Sequence, residues 1–252
     1  MIASLPMYAR ASNRAAHETL WGLIRDGLRA QGISAPDALD HTVDHMESWG
    51  HPDLVLGQIC NLPLRSMFMD KVTVIGASDY GLDGCAPGYY RSAFIVRGDA
   101  LANHPLDMID SRFVCNEPLS QSGYGAAQLW ALAHGKQFQP SATTGSHRAS
   151  ISAVAEGHGD IAAIDAQTWR IECGETRQTD ALKVIGHTAA TPGMTFITRK
   201  GQNPQPYFDA IAAAIDKLPN EAAQVLGLKG IVALGANAYD LPFPPEPAAI
   251  VI

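Results

Sequence analysis

Apolar positions along this chain keep two rhythms that take turns. Short runs with almost no polar interruption, among them Leu54-Val55-Leu56, Val72-Thr73-Val74-Ile75, Ala93-Phe94-Ile95-Val96, Phe113-Val114-Cys115 and Ile161-Ala162-Ala163-Ile164, are bounded by polar residues or glycine. Such runs predict strands buried on both faces. Other stretches repeat every three or four residues. Ala16, Leu20, Leu23, Ile24 and Leu28 share one face of a helix that Ser12 or Asn13 can cap and Gly32 can end. Phe208, Ile211, Ala212 and Ile215 do the same between Pro206 and Leu218. Ile2 to Tyr8 reads as a first strand and its exit, and 182–186 and 194–198 as further strands. Helices are expected from about Ser122 to Gly135, from the Thr144–Ser150 opening to Gly159-Asp160 with Ile151, Val154 and Ala155 on the apolar face, and through Trp169. Residues 33–52 carry no clear period, and the proline-rich tail from Leu241 is expected to run extended over the surface.

Alternating strands and helices predict an α/β protein whose sheets are largely parallel and covered on both faces. The connector Ser78 to Gly88 is dense in glycine and other breakers, which marks a passage from one lobe to the next. Ligands of such sheets bind beyond the carboxyl ends of strands, so residues that follow strands are the ones to read for chemistry.

Composition narrows the choice of partners. With 252 residues, 46% of them apolar and 17% charged, the chain can bury a large core as one domain or two lobes. A net charge of −7 argues against a nucleic-acid partner, which draws on clustered Lys and Arg. No apolar run reaches the roughly 18–20 residues that span a bilayer. The first residues lack the basic and apolar regions of a secretory signal, which leaves open a cytosolic chain or one written from beyond a removed signal. Cys60, Cys85, Cys115 and Cys173 show no C-x-x-C spacing, and a Cys60–Cys85 bridge is the pairing to test first. His41 and His45, four apart, suit either two ligands on one helix face or solvated side chains. No third ligand follows at a recognisable spacing, so no metal and no cofactor are expected.

Two turns carry the candidate chemistry. Ser120-Gln121-Ser122-Gly123 stands between a strand and a helix, where free backbone N–H groups meet the positive end of the helix dipole. Hydroxyls and a glycine there make a seat for an anion, although a Ser cap beside a Gly explains the same residues. Thr144 to Arg148 opens the next helix with two hydroxyls, an imidazole and a guanidinium. His147 can donate to an oxyanion or merely pack. Arg148, like Arg91, can meet the anion or an acidic side chain. Asp165 ends an apolar strand, where it can accept from a ligand or cap the following helix. Tyr8, Gln58 and Tyr80 follow strands in the first lobe. Catalytic signatures are missing: there is no G-x-S-x-G elbow, no P-loop and no G-x-G-x-x-G opening a helix. Ser122, His147 and Asp165 can be assembled on paper into a triad, but nine histidines make such sets easy to find. The chain is read as a binding protein and not an enzyme.

The motifs taken in order resemble a family. They are Asp53-Leu54-Val55-Leu56-Gly57-Gln58, Tyr89-Tyr90-Arg91-Ser92, Asn116 to Tyr124, Thr144 to Ser150, and Asp160 to Asp165. Together they are similar to the phosphate/phosphite/phosphonate-type solute-binding proteins of ABC transporters, which have the type II periplasmic-binding fold. The resemblance implies an α/β chain of two lobes, each a mixed, mostly parallel sheet flanked by helices, closing on a ligand between them. One lobe would combine 1–88 with 184–252, and the other would be 89–183. It implies a small oxyanion such as phosphonate, phosphate or phosphite, bound by Ser120 and Ser122 with the neighbouring N–H groups of Gln121 and Gly123. Ser146, His147 and Tyr90 would join them, with Tyr8, Gln58 and Asp165 as further contacts. It also implies a periplasmic monomer that meets an ABC permease in the membrane. Gln121 stands where phosphonate binders often have another hydroxyl, so a smaller or different anion suits the pattern as well. An enzyme on the same two-lobed fold, as in menaquinone biosynthesis, and a stand-alone ligand-sensing domain are the alternatives.

Overall fold

The computed structural model describes residues 1–246. In chain order its main strands are β1 (Ile2–Ser4), β2 (Leu54–Ile59), β3 (Val72–Asp79), β4 (Ser92–Arg97), β5 (Phe113–Cys115), β6 (Pro140–Thr143), β7 (Ile161–Asp165), β8 (Leu182–His187), β9 (Thr195–Arg199) and β10 (Gly230–Val232). The main helices are α1 (Arg14–Ala30), α2 (His45–Gly50), α3 (Ala126–Ala133), α4 (His147–Ala155), α5 (Ala166–Glu175), α6 (Gln205–Asp216) and α7 (Asn220–Leu226). The chain divides into two compact units. Unit 1 is Met1–Tyr89 with Pro192–Tyr239, and unit 2 is Tyr90–Thr191 with the described residues from Asp240.

Unit 1 is a five-stranded sheet in the order β1-β2-β9-β3-β10. β1 and β2 are parallel, while β9 runs antiparallel between β2 and β3, and β10 is antiparallel to β3. Every residue of β2 is buried, the polar Gln58 included, as expected of a strand covered on both faces. One core cluster packs Ile2, Leu54, Ile59, Val72 and Ile197 with Trp49 and Phe68. Helix α1 buries Ala16, His17, Leu20, Trp21, Ile24 and Leu28, and approaches α6 closely enough that a Cβ on Gly27 would lie 3.3 Å from Ala210 Cβ. The buried face of α6 is Tyr207, Ala210, Ile211, Ala214 and Ile215. It is turned by about a quarter from the expected stripe, with Tyr207 buried and Phe208 left half-exposed.

Unit 2 repeats the plan in the order β6-β5-β7-β4-β8. β5 is parallel to β6 and β7, and β4 runs antiparallel between β7 and β8. Alternate side chains divide between two cores, as a strand's two-residue period demands. Phe94, Val96, Phe113, Ile161 and Ala163 pack under Tyr124, Ala127 and Ala131, the last two on α3. Ala93, Ile95, Val114, Ala162 and Ile164 pack under Ile151 and Val154 of α4. The sheet is thus covered on both faces.

Several expectations are corrected. The return to unit 1 comes at Thr191/Pro192 and not at 183/184, because β8 hydrogen-bonds to β4 and is therefore part of the unit 2 sheet. The first passage falls one residue later than expected, at Tyr89/Tyr90. The described tail groups with unit 2: the Tyr124 hydroxyl donates to the carbonyl of Pro245 at 2.7 Å. That tail has no regular structure as far as Glu246, and the rest of the expected extended stretch, 247–252, lies outside the described residues. The unpatterned 33–52 contains α2, capped by the Asp44 carboxylate. Strands β6 and β10 and helix α7 were not legible in the apolar pattern at all. All four cysteines are thiols, so the Cys60–Cys85 bridge is not formed. His41 Nε2 lies 2.5 Å from Glu18 Oε1, and among the described residues there is no group of three or more His, Cys, Asp or Glu that could hold a metal ion. No helix among them is long and apolar enough to cross a membrane.

Candidate functional site

Three neighbouring parallel strands of unit 2, β6, β5 and β7, end at one edge of the sheet, and each end passes into a polar turn. After β5 the chain bends at Pro118 and places Ser120 as a cap. The Gly123 N–H donates to Ser120 Oγ at 3.0 Å, and the Tyr124 and Gly125 N–H groups both reach the Ser120 carbonyl. The turn Gln121–Gly125 is wide, of π type, and continues directly into α3. All five of its residues are buried. A turn of this kind leaves its first N–H groups without intrahelical acceptors and presents them at the positive end of the helix.

After β6 the Thr144 and Gly145 N–H groups donate to the carbonyls of Cys115 and Asn116, each at 2.9 Å. The second turn is thereby stitched to the exit of β5. Gly145 has φ +85°, a left-handed conformation that glycine adopts without steric cost. Ser146 then caps α4, accepting from the Ala149 N–H at 3.1 Å. This leaves His147 as the first residue of the helix, with Nε2 only 2.7 Å from Ser122 Oγ. The two helix starts therefore meet through a hydroxyl–imidazole hydrogen bond. Ser120 Oγ lies 3.5 Å from Ser122 Oγ, so the two serines and the histidine form one contiguous polar cluster.

The third strand end adds Asp165, which has no exposed surface and accepts from the Thr168 N–H at 2.9 Å as the cap of α5. The capping reading of this residue is therefore realised. Asp165 is also the register partner of Ser92 on β4, and the Ser92 hydroxyl donates to the Ser122 carbonyl at 2.8 Å. Tyr90, buried, precedes this stretch, and the Arg91 carbonyl takes the Ala166 N–H. Ser120, Gln121, Ser122, Gly123, Ser146, His147, Asp165 and Tyr90 are thus all at or beside this edge of unit 2.

Tyr8 and Gln58 belong to unit 1. Tyr8 is buried with its ring edge-on to Tyr80 at 5.0 Å. Gln58 is buried within β2, where its carbonyl accepts from Trp49 Nε1 at 2.7 Å.

The guanidinium of Arg148 is engaged away from the two serines and His147. Arg148 is turned to α5, where it donates to Glu172 and Glu175, both at 2.9 Å. Those bonds, with Glu172 foremost, raise the guanidinium above its ordinary pKa. The Cys115 thiol, just before the first turn, is pushed up to about 11 by burial and stays protonated. Neutral hydroxyls, backbone N–H groups and one imidazole thus face each other at two helix starts, a donor set suited to an oxyanion. Two supporting residues, Ser92 and Asn116, lie within the motifs, where the local pattern gives neither a role. A lone serine opening the apolar run 92–97 is the signal that could have singled out Ser92.

Comparisons with known proteins give the family and the fold. The family model for "ABC transporter, phosphonate, periplasmic substrate-binding protein" matches residues 69–239. No curated protein matches at the level of sequence. Among solved structures, PhnD1 of Prochlorococcus marinus (MIT 9301), in complex with methylphosphonate, aligns with a TM-score of 0.69 at 16% identity, over 95% of this chain and 94% of that one. A binding-protein component of an ABC phosphonate transporter from Pseudomonas aeruginosa, PA3383, aligns with a TM-score of 0.65 at 16% identity, over 95% and 82%. XAC2383 of Xanthomonas citri, bound to a chloride ion, gives a TM-score of 0.65 at 14% identity, over 94% and 93%. At such identities the structural likeness speaks to the fold alone, and that fold is the type II periplasmic-binding fold. The family match covers well over half of the sequence, so the chain belongs to the phosphonate-type periplasmic substrate-binding proteins of ABC transporters.

Proposed function

We propose that the chain binds a small tetrahedral oxyanion, an alkylphosphonate first, with phosphate and phosphite as its nearest competitors, and delivers it from the periplasm to an ABC permease. The observation that carries this reading is the 2.7 Å hydrogen bond between Ser122 and His147, which joins two helix starts into one donor cluster. Ser120, Ser122, Ser146 and His147, with the N–H groups of Gln121 and Gly123, are the proposed anion contacts. Tyr90 and Asp165, and from unit 1 Tyr8 and Gln58, are proposed as further ligand contacts. The methylphosphonate in the similar Prochlorococcus structure supports the choice of ligand class. The net charge of −7 supports a partner other than nucleic acid. The protein is proposed to act as a monomer and to release its ligand unchanged.

Calorimetric titration with methylphosphonate, phosphate, phosphite and sulfate tests the reading. Binding heat is expected from the phosphorus oxyanions, together with a stabilisation of about 2.7 kcal/mol when ligand is present at a hundred times Kd. No heat from any of the four would end the proposal. Phosphorus NMR of methylphosphonate kept with the protein is expected to show a single unchanged species, and a new resonance would move the chain to the enzymes.

A further inference from the structure

We propose that Asn116 is a positioning residue of the anion seat, a wedge whose carboxamide takes the place of the side chain missing at Gly123 and so sets the spacing between the two helix starts. The ligand part of this inference rests on the function proposed above.

A Cβ built on Gly123 would fall 1.7 Å from Asn116 Oδ1, 2.9 Å from Asn116 Cγ and 3.2 Å from His147 Cε1. The carboxamide therefore already fills the space beside Gly123 and stands next to the imidazole. Turning the amide about its last bond would not clear that space, because Cγ lies on the rotation axis and would remain at 2.9 Å. The main chain of Asn116 is held as well, since its carbonyl accepts from the Gly145 N–H at 2.9 Å in the second turn. One residue thus touches both turns, the second through its backbone and the first through its side chain. Asn116 Oδ1 is shielded from solvent and takes no hydrogen bond from any described residue. Buried acceptors are ordinarily satisfied, so the amide's shape outweighs its hydrogen bonding here. A spacer accounts for this. Gly123 in turn has no positive φ to explain it, and the close approach of Asn116 is what requires a glycine there.

A double-mutant cycle on the full chain tests the wedge. Gly123→Ala should cost at least about tenfold in methylphosphonate affinity, and Asn116→Ala less. The double variant should regain about tenfold over Gly123→Ala, because residues in contact are not additive. Melting temperatures of the four proteins should show the same coupling without any ligand. Strict additivity in both readouts would overturn the wedge. Should Gly123→Ala fail to fold, a pair of isosteres decides instead. Asn116→Leu and Asn116→Asp keep nearly the same shape, but the carboxylate would stand beside the bound anion. Asn116→Asp is expected to bind methylphosphonate at least about tenfold more weakly than Asn116→Leu at equal melting temperature, as a like charge in close range requires. Equal affinities would remove Asn116 from the seat and leave it a scaffold residue. If the wild-type protein takes up no oxyanion, the proposed function fails together with Asn116's part in affinity, while the melting cycle still decides the wedge.

Discussion

Units 1 and 2 have the same five-stranded plan, yet they use the ends of their strands differently. In each, the first strand laid down after a passage between units, β9 in unit 1 and β4 in unit 2, is inserted antiparallel between two others. In unit 1 the buried hydroxyls near the sheet serve the scaffold. Ser4 donates to the Asp40 carbonyl at 2.9 Å and Ser78 to the Met194 carbonyl at 2.6 Å, while the Tyr8–Tyr80 ring pair stands after β1 and β3. In unit 2 two adjacent parallel strands, β5 and β6, are each followed within a few residues by a helix, and the serines there face donors and an imidazole. The sheet supplies the geometry, and the connections decide what it is used for.

The comparison can be broken in four ways, beginning with the largest effect. Phe113 has no exposed surface and stacks on Phe138 at 4.8 Å, so Phe113→Ala should destabilise the protein by about 3–5 kcal/mol in urea unfolding. A loss near zero would mean that the core of unit 2 can repack. Arg148→Ala should cost about 1.5–3 kcal/mol, since it removes a charge-assisted hydrogen bond from the Glu172 carboxylate, whose side chain is only 1% exposed. Glu172→Gln in the same protein should recover most of that, with methylphosphonate affinity unchanged throughout. A lost affinity would return Arg148 to the ligand. Ser122→Ala and His147→Ala should each weaken binding by about 1.5–3 kcal/mol, the worth of a hydrogen bond to a charged group, with little change in melting temperature. Tyr8→Phe in unit 1 should cost less, and equal losses from the two units would erase the contrast.

The smallest effect is one of pH. Burial foremost lowers the pKa of His17 in unit 1, opposed by its hydrogen bond to the Asn13 carbonyl and aided by His41 and Arg10. The unfolded histidine titrates at about 6.5, so below that pH the unfolded chain binds the extra proton first. The stability that His17 contributes is complete above the unfolded value and is lost as pH falls toward the folded one. His17→Gln should therefore lose less stability between pH 7 and pH 5 than the wild type does. His187 in unit 2 is shifted the same way, by burial and then by Arg91, but it is more exposed, so His187→Gln should change the slope less.

Much of the molecule is legible before any fold is known. The apolar runs within β2, β4, β5 and β7 identify themselves because a strand buried on both faces is apolar at most positions, with polar residues such as Gln58, Ser92 and Asp165 confined to their ends. The α1 stripe shows for the complementary reason, since one face of a helix is all that is buried. The Ser120–Gly123 and Thr144–Arg148 turns are marked by cap chemistry that depends on neighbours in the chain. The silent elements are those whose formation depends on distant partners. Strand β6, Pro-Ser-Ala-Thr, is half polar and is a strand because β5 offers it an edge, and α7 and β10 are too short to show a period.

What the sequence determined by itself is local: which segments are buried, where helices start, and which turns offer donors. Tertiary structure decided three things that no local pattern encodes. Strand direction is one, since an apolar run reads alike forwards and backwards and β4 and β9 take theirs from the passages between units. The fate of each charge is another: Arg148 could meet an anion or an acid until α5 brought Glu172 and Glu175 within 2.9 Å. The third is the meeting of Ser122 with His147, twenty-five residues apart in the chain. Two parallel strands side by side place them 2.7 Å from each other, and only a folded sheet can do that.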